Sequence, residues 1–180
     1  LGDVYKRQGN YFSLLNFSFL LNILLDLGLT NYNAKNIAQH PQQITNHFGK
    51  ILAIRFSLFF LYAAATLIFA GIVGYSGQEF YLLGLLMVNQ FLLAIVQFSR
   101  SNFAGLHLFK TDALISVLDR TLLIGICGAL LWTDWFGGEM KIEWFIYAQT
   151  AAYGISALIS VILLLVKIGK VRLSIKKPFT

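Results

Sequence analysis

Hydrophobic residues fall into five long runs along the chain, separated by short polar stretches. We name these runs segments a to e, and they cover residues 10–30, 51–73, 80–98, 113–132 and 144–166. Each run has about the 20 residues that an α-helix needs to cross the hydrocarbon of a bilayer. Open strands would leave backbone groups unpaired in lipid, and the alternation typical of barrel strands is absent. The pattern therefore predicts an all-α fold, a polytopic bundle of five transmembrane helices.

Composition supports the same prediction. Hydrophobic residues make up 57% of the chain, charged residues only 12%, and the mean hydropathy is +0.69. Such a chain has too little polar surface to enclose a water-soluble core. The lone cysteine, Cys127, lies inside an apolar run, which excludes a disulfide framework or a thiolate metal site.

The net charge of +6 raises the question of nucleic-acid binding. The basic residues do not form one patch, however, but recur in short clusters between the apolar runs, which argues against a nucleic-acid partner. They lie in or beside the a–b loop, the c–d loop and the C-terminal tail: Lys35, Lys50, Arg55, Arg100, Lys110, Arg120, Lys167, Lys170, Arg172, Lys176 and Lys177. Lys141 alone lies on the other side, with acidic residues around it. By the positive-inside rule, both loops and the tail are predicted to be cytoplasmic.

The two ends of the chain are predicted to lie outside the helical bundle. Residues 1–8 resemble the translated end of a transposon adapter, so the native sequence is expected to begin near Gly9. Since Gly9 is predicted to lie on the periplasmic side of the membrane, one preceding helix that crosses from the cytoplasm to the periplasm is expected. Residues 9–166 would form the transmembrane region, and residues 167–180 a basic cytoplasmic connector.

Polar side chains within the segments are not scattered. At about 100° of rotation per residue, those of each segment lie within an arc of about 120°. They are Ser18, Asn22 and Asp26 in a; Arg55, Tyr62 and Thr66 in b; Asn89, Gln90, Gln97, Arg100 and Ser101 in c; Ser116, Asp119 and Arg120 in d; and Gln149, Tyr153, Ser156 and Ser160 in e. Because polar groups are costly in lipid, these stripes are expected to face a shared interior or an aqueous cavity. The alternative is that they join helices together and that the arginines mark the cytoplasmic interface.

Sequence motifs of enzymes are absent. The chain has no G-x-S-x-G and no Walker A loop, and His40, His47 and His107 lack the spacing of metal ligands. We therefore expect neither an enzyme nor a bound cofactor, and any transport would be driven by an ion gradient, the membrane potential or substrate removal.

Two stretches carry a family resemblance: residues 9–31, which contain Asp26-Leu27-Gly28-Leu29, and residues 100–120, which begin Arg100-Ser101-Asn102-Phe103. In these stretches the chain resembles Wzx-type O-antigen flippases of the multidrug/oligosaccharidyl-lipid/polysaccharide exporter superfamily, which also includes the MATE drug exporters. The resemblance implies that segments a to e are helices two to six of a MATE-like N-terminal lobe, without helix one and the second lobe.

The resemblance also implies a function in a bacterial inner membrane. It is the flipping of an undecaprenyl-pyrophosphate-linked oligosaccharide to the periplasmic leaflet by alternating access, with polysaccharide polymerase machinery as a candidate partner. Arg55, Arg100 and Arg120 would bind pyrophosphate, since guanidinium groups form charge-assisted hydrogen bonds with phosphate oxygens. The candidate contacts to the remaining substrate are Asn89, Gln97, Asp119, Gln149 and Tyr153. Asp26 and Asp119 are candidates for proton or sodium coupling, or for pairing with the arginines.

Two rival functions stay open on the sequence. A MATE-like antiporter of cations or drugs should have acidic residues deep in the lobe, whereas Asp26 and Asp119 are predicted near cytoplasmic ends. A membrane-embedded polysaccharide ligase or polymerase should carry catalytic charge in a long periplasmic loop, whereas the predicted outer loops are short.

The predicted topology can be tested by cysteine labelling. Cysteines placed at Ser76 and Gly138 should react with a membrane-impermeant reagent only from the periplasmic side, because both positions lie in predicted outer loops. Lys110→Cys serves as the cytoplasmic control. Reaction of the first two positions only from the cytoplasm would contradict the topology.

Overall fold

The chain folds almost entirely into helices. The computed structural model describes residues 2–75, 77–132 and 142–176, and no strand occurs among them. The elements are α1 (Gly2–Leu21), α2 (Ile23–Asp26), α3 (Leu29–Gln39), a 3₁₀ turn (Pro41–Gln43), α4 (Ile44–Val73), α5 (Gly77–Gly105), α6 (Phe109–Trp132) and α7 (Ile142–Lys176). This confirms the predicted all-α fold class.

The described residues include five helical stretches that are long and apolar enough to cross a membrane. They are Tyr11–Gln39, His47–Val73, Gly77–Gly105, Phe109–Leu130 and Glu143–Gly169. These match segments a to e in number and order, so the prediction of a multi-pass membrane protein is confirmed. α5 is the most enclosed of the five and contacts every other long helix.

Side-chain contacts show that α1 and α4 run in opposite directions. Ser18 lies within hydrogen-bond distance of Tyr62, with 2.6 Å between the hydroxyl oxygens, and Asp26 pairs with Arg55. Residue numbers therefore rise along one helix as they fall along the other. The polar stripes predicted for segments a and b meet at this interface.

α5 and α7 run parallel to each other. Gln78 donates to Glu143 near the start of both helices, and Asn89 donates to Gln149 further along. α6 follows α5 through the c–d loop and runs antiparallel to both α5 and α7. This alternation of direction is what five consecutive membrane crossings require.

The first span is broken rather than continuous. Segment a was predicted as one helix over residues 10–30, but Leu27 and Gly28 have left-handed backbones, with φ of 42° and 80°. Glycine adopts such a conformation without steric cost, whereas leucine does not. The chain turns at this pair and continues as α3 to Gln39, through nearly half of the predicted a–b loop.

Helix boundaries differ from the limits of the hydrophobic runs. α4 begins seven residues before segment b and α6 four residues before segment d, whereas α5 continues past Arg100 as expected from the sequence. α7 continues ten residues beyond segment e, because a helix has no need to end where the apolar residues do. Residues Asp134, Trp135, Glu139 and Lys141 of the predicted outer loop lie outside the described residues, as do residues 177–180 of the predicted connector.

α3 packs closely against the end of α5. A Cβ atom at Gly105 would lie 2.8 Å from both the Ala34 carbonyl oxygen and the Ile37 Cβ atom. One turn earlier on α5, the Ser101 hydroxyl accepts a hydrogen bond of 2.8 Å from Asn33. A close backbone approach and a buried polar contact together fix α3 on α5.

The close approach at Gly105 predicts a position-specific loss of stability. Gly105→Ala should destabilise the protein by about 1–3 kcal/mol, because the new methyl group must displace the backbone of α3. Gly84→Ala is the matched control, since a Cβ atom there would meet nothing within 4 Å. Unfolding in mixed detergent micelles measures both, and equal stabilities would contradict the packing argument.

Candidate functional site

Arg55 is buried in the core of the bundle, with only 1% of its surface exposed. Its Nη1 atom donates to the Ala94 carbonyl oxygen at 3.1 Å, and its Nη2 atom donates to Asp26 Oδ1 at 3.0 Å and to Thr30 Oγ1 at 2.8 Å. The guanidinium carbon lies 5.3 Å from the centre of the Phe98 ring. Arg55 therefore connects α4 with α2, α3 and α5 through one charged group, and its burial keeps it away from any ligand at the surface.

Asp26 and Thr30 stabilise the break in the first span. The Thr30 backbone N–H donates to Asp26 Oδ1 at 3.2 Å, and the Thr30 hydroxyl donates to the same oxygen. The carboxylate thus caps the first turn of α3, where backbone N–H groups lack partners within the helix. Because Asp26 also pairs with Arg55, its negative charge is already matched within the chain.

A groove opens beside this ion pair, between α3, the end of α5 and the start of α6. Its volume is about 340 Å³. The lining residues are Thr30, Asn31, Ala34, Gln97, Arg100, Ser101, Ala104 and Asp112. Two predicted site residues, Gln97 and Arg100, therefore come together here, at the end of the bundle that the basic loops predict to be cytoplasmic.

Arg100 has an acidic partner that the sequence reasoning missed. Its Nε atom donates to Asp112 Oδ1 at 2.6 Å, and the two side chains are 38% and 24% exposed. Asp112 lies in the predicted c–d loop, but it precedes Ser116 and Asp119 by four and seven residues. That spacing places Asp112 on the polar stripe of segment d, so the sequence pattern could have identified it as a residue of the site.

Asn33 and Thr30 were missed for a related reason. Thr30 follows Asp26 by four residues and Asn33 follows it by seven, both at helical spacing, yet the predicted end of segment a placed Asn33 in a loop. In the structure Asn33 is buried against Ser101. Extending the polar stripe of segment a beyond Asp26 would have found both residues.

Arg120 occupies a different position, away from the groove residues. Arg120 and Asp119 are predicted near the cytoplasmic end of segment d, but this is wrong: both lie halfway along the span Phe109–Leu130, and the Arg120 side chain is 77% exposed. The neighbouring Asp119 is buried, and its Oδ2 atom lies 3.6 Å from Arg120 Nε. The centre of an apolar span therefore presents a cation on the surface of the described chain.

Three further predicted residues form a polar cluster between α5 and α7. Asn89 is buried and donates to Gln149 Oε1 at 3.3 Å, while Gln149 donates to the Tyr153 hydroxyl at 3.1 Å. These hydrogen bonds join α5 to α7, which agrees with the second explanation of the polar stripes, that they hold helices together instead of facing an aqueous cavity. Comparisons of the chain with protein-family models, curated proteins and solved structures gave no match.

The Arg55–Asp26 pair predicts strongly coupled mutational effects. Asp26→Leu alone should destabilise the protein by about 3 kcal/mol, because it leaves the buried Arg55 without its carboxylate, and Arg55→Met should cost less, because Asp26 is 32% exposed to solvent. The double variant should lose less than the sum of the two, since it removes both charges together. Unfolding in mixed micelles gives the three values, and strict additivity would show that the pair is not coupled.

Proposed function

We propose that this chain is part of a transporter lobe in a bacterial inner membrane that moves a polyprenyl-pyrophosphate-linked oligosaccharide between leaflets. One observation carries the proposal: an exposed arginine halfway along an apolar span.

An exposed Arg120 is difficult to reconcile with surrounding lipid. Phe109 and Leu130 lie about 16 Å and 15 Å away along the helix axis, at 1.5 Å per residue. Placing arginine at the centre of a span costs roughly 2.5 to 3.5 kcal/mol on insertion scales. We therefore infer that this face of α6 borders water or a polar ligand, as the wall of a transport path would.

An anionic headgroup suits this position. A pyrophosphate brings several oxygen acceptors, and guanidinium can bind two of them through parallel hydrogen bonds. Asp119 is too far from Arg120 for a short hydrogen bond, so the cation keeps N–H groups available. Both Nη atoms of the buried Arg55, in contrast, are already bonded within the chain, to Asp26, Thr30 and Ala94, and we assign Arg55 a structural role.

The rival function of a cation antiporter receives less support from the described charges. Asp26, one of the two acidic candidates, is paired with Arg55. Asp119 does lie at mid-span, the depth expected for an antiporter, but the exposed arginine beside it would repel a cationic substrate. We therefore retain the lipid-linked oligosaccharide as the proposed substrate class.

Substitution of Arg120 in the full-length transporter tests the proposal. Arg120→Ala should abolish surface polysaccharide without lowering membrane abundance, and Arg120→Lys should restore only part of it, because an ammonium group lacks the two-pronged geometry of guanidinium. Lys110→Ala, which removes another exposed cation of α6, should retain export.

A purely topological role for Arg120 gives a different result. The positive-inside signal counts lysine and arginine alike, so Arg120→Lys would then behave like the wild type. Full export by Arg120→Ala at normal abundance would refute the proposed function.

A further inference from the structure

The groove beside the helix break contains both signs of charge. On its wall, Arg100 Nε lies 2.6 Å from Asp112 Oδ1, so the positive and negative charges of the two side chains cancel. Within the described part of the chain, the Arg100 Nη atoms and the second Asp112 carboxylate oxygen make no further hydrogen bond. Donors and an acceptor thus remain available side by side.

Two amides complete the available polar groups of the groove. Asn31 and Gln97 are both exposed, and each carries a donor and an acceptor. The two hydroxyls of the wall are already engaged, Thr30 with Asp26 and Arg55, and Ser101 with Asn33. A ligand would therefore meet two amides, one guanidinium and one carboxylate.

This combination suits hydroxyl groups better than phosphate. A sugar hydroxyl both donates and accepts, so it can bind a carboxylate and a guanidinium at the same time. A phosphate at neutral pH has acceptor oxygens and negative charge, and Asp112 would repel it. A volume of about 340 Å³ is at the lower end of small-ligand sites, which limits the occupant to a small group.

We propose that the groove lined by Asn31, Gln97, Arg100 and Asp112 binds a neutral, polyhydroxylated sugar of the lipid-linked substrate. This inference rests on the proposed function and assigns Arg100 to the sugar, while the pyrophosphate is bound at Arg120. The two chemical parts of one substrate are then recognised by two separate groups of residues.

Protection of a cysteine in the groove tests this assignment. The reporter is Ala104→Cys on the groove wall, in full-length transporter with Cys127→Ser, labelled by a maleimide in membrane vesicles from the native host. Labelling should be slowed in vesicles that contain the lipid-linked oligosaccharide. It should not be slowed in vesicles from cells that cannot attach the first sugar to the lipid, with or without added inorganic pyrophosphate.

Substitutions in the groove sharpen the test. Gln97→Ala or Asp112→Asn should weaken the protection roughly three- to tenfold, which is the usual effect of losing one or two hydrogen bonds. Gln39→Ala is the matched control, because Gln39 is also an exposed amide and lies on α3, but it does not line the groove. It should leave the protection unchanged.

The outcomes separate the two proposals. Protection by pyrophosphate alone, or no protection by the lipid-linked oligosaccharide, overturns the sugar groove and leaves the role of Arg120 intact. Full export by Arg120→Ala overturns the proposed function whatever happens in the groove. Equal loss of protection in Gln97→Ala and Gln39→Ala would also overturn the groove, because the effect would not depend on its lining.

Discussion

The burial of Arg55 is the constraint on which the arrangement of the helices depends. A charged group inside an apolar bundle is tolerated only when opposite charge and hydrogen-bond acceptors surround it. Asp26, Thr30 and the Ala94 carbonyl supply these from three different elements. Any displacement of the broken span relative to α4 or α5 would separate the Arg55 guanidinium from these partners. The ion pair therefore fixes the relative positions of these helices.

The same ion pair explains why the first span is broken at that point. Asp26 can reach Arg55 and cap α3 at once because Leu27 and Gly28 turn the chain immediately after it. α3 then lies against Gly105, where the absence of a side chain permits close packing. The position of α3 in turn forms one wall of the groove. A local backbone turn, a buried charge and a glycine contact thus jointly produce a polar concavity at one end of the bundle.

The fold was predictable from the sequence because the bilayer imposes a simple rule. Long apolar runs must become helices, and the five segments and their order are confirmed. The break at Leu27–Gly28 was not predicted, since apolar residues lie on both sides of it and leucine rarely adopts a left-handed backbone. The sequence placed Asp26 and Arg55 on polar stripes, but it could not distinguish a ligand-binding arginine from a buried structural one. That distinction depends on whether a carboxylate, a hydroxyl and a carbonyl converge on the same guanidinium.

The three arginines on the polar stripes differ in ways that charge alone does not reveal. Arg55 is enclosed and matched, Arg100 is partly exposed and matched, and Arg120 is exposed with only a distant carboxylate beside it. A transporter that binds a dianionic headgroup through several unmatched arginines would bind it too tightly to release it, because each charge-assisted hydrogen bond adds about 1.5 to 3 kcal/mol. Pairing two of the three cations within the protein limits that attraction, and under the proposed function the neutral groove would add selectivity through hydroxyl geometry rather than through charge. Weak anion binding combined with directional sugar contacts is therefore physically compatible with repeated capture and release of one substrate.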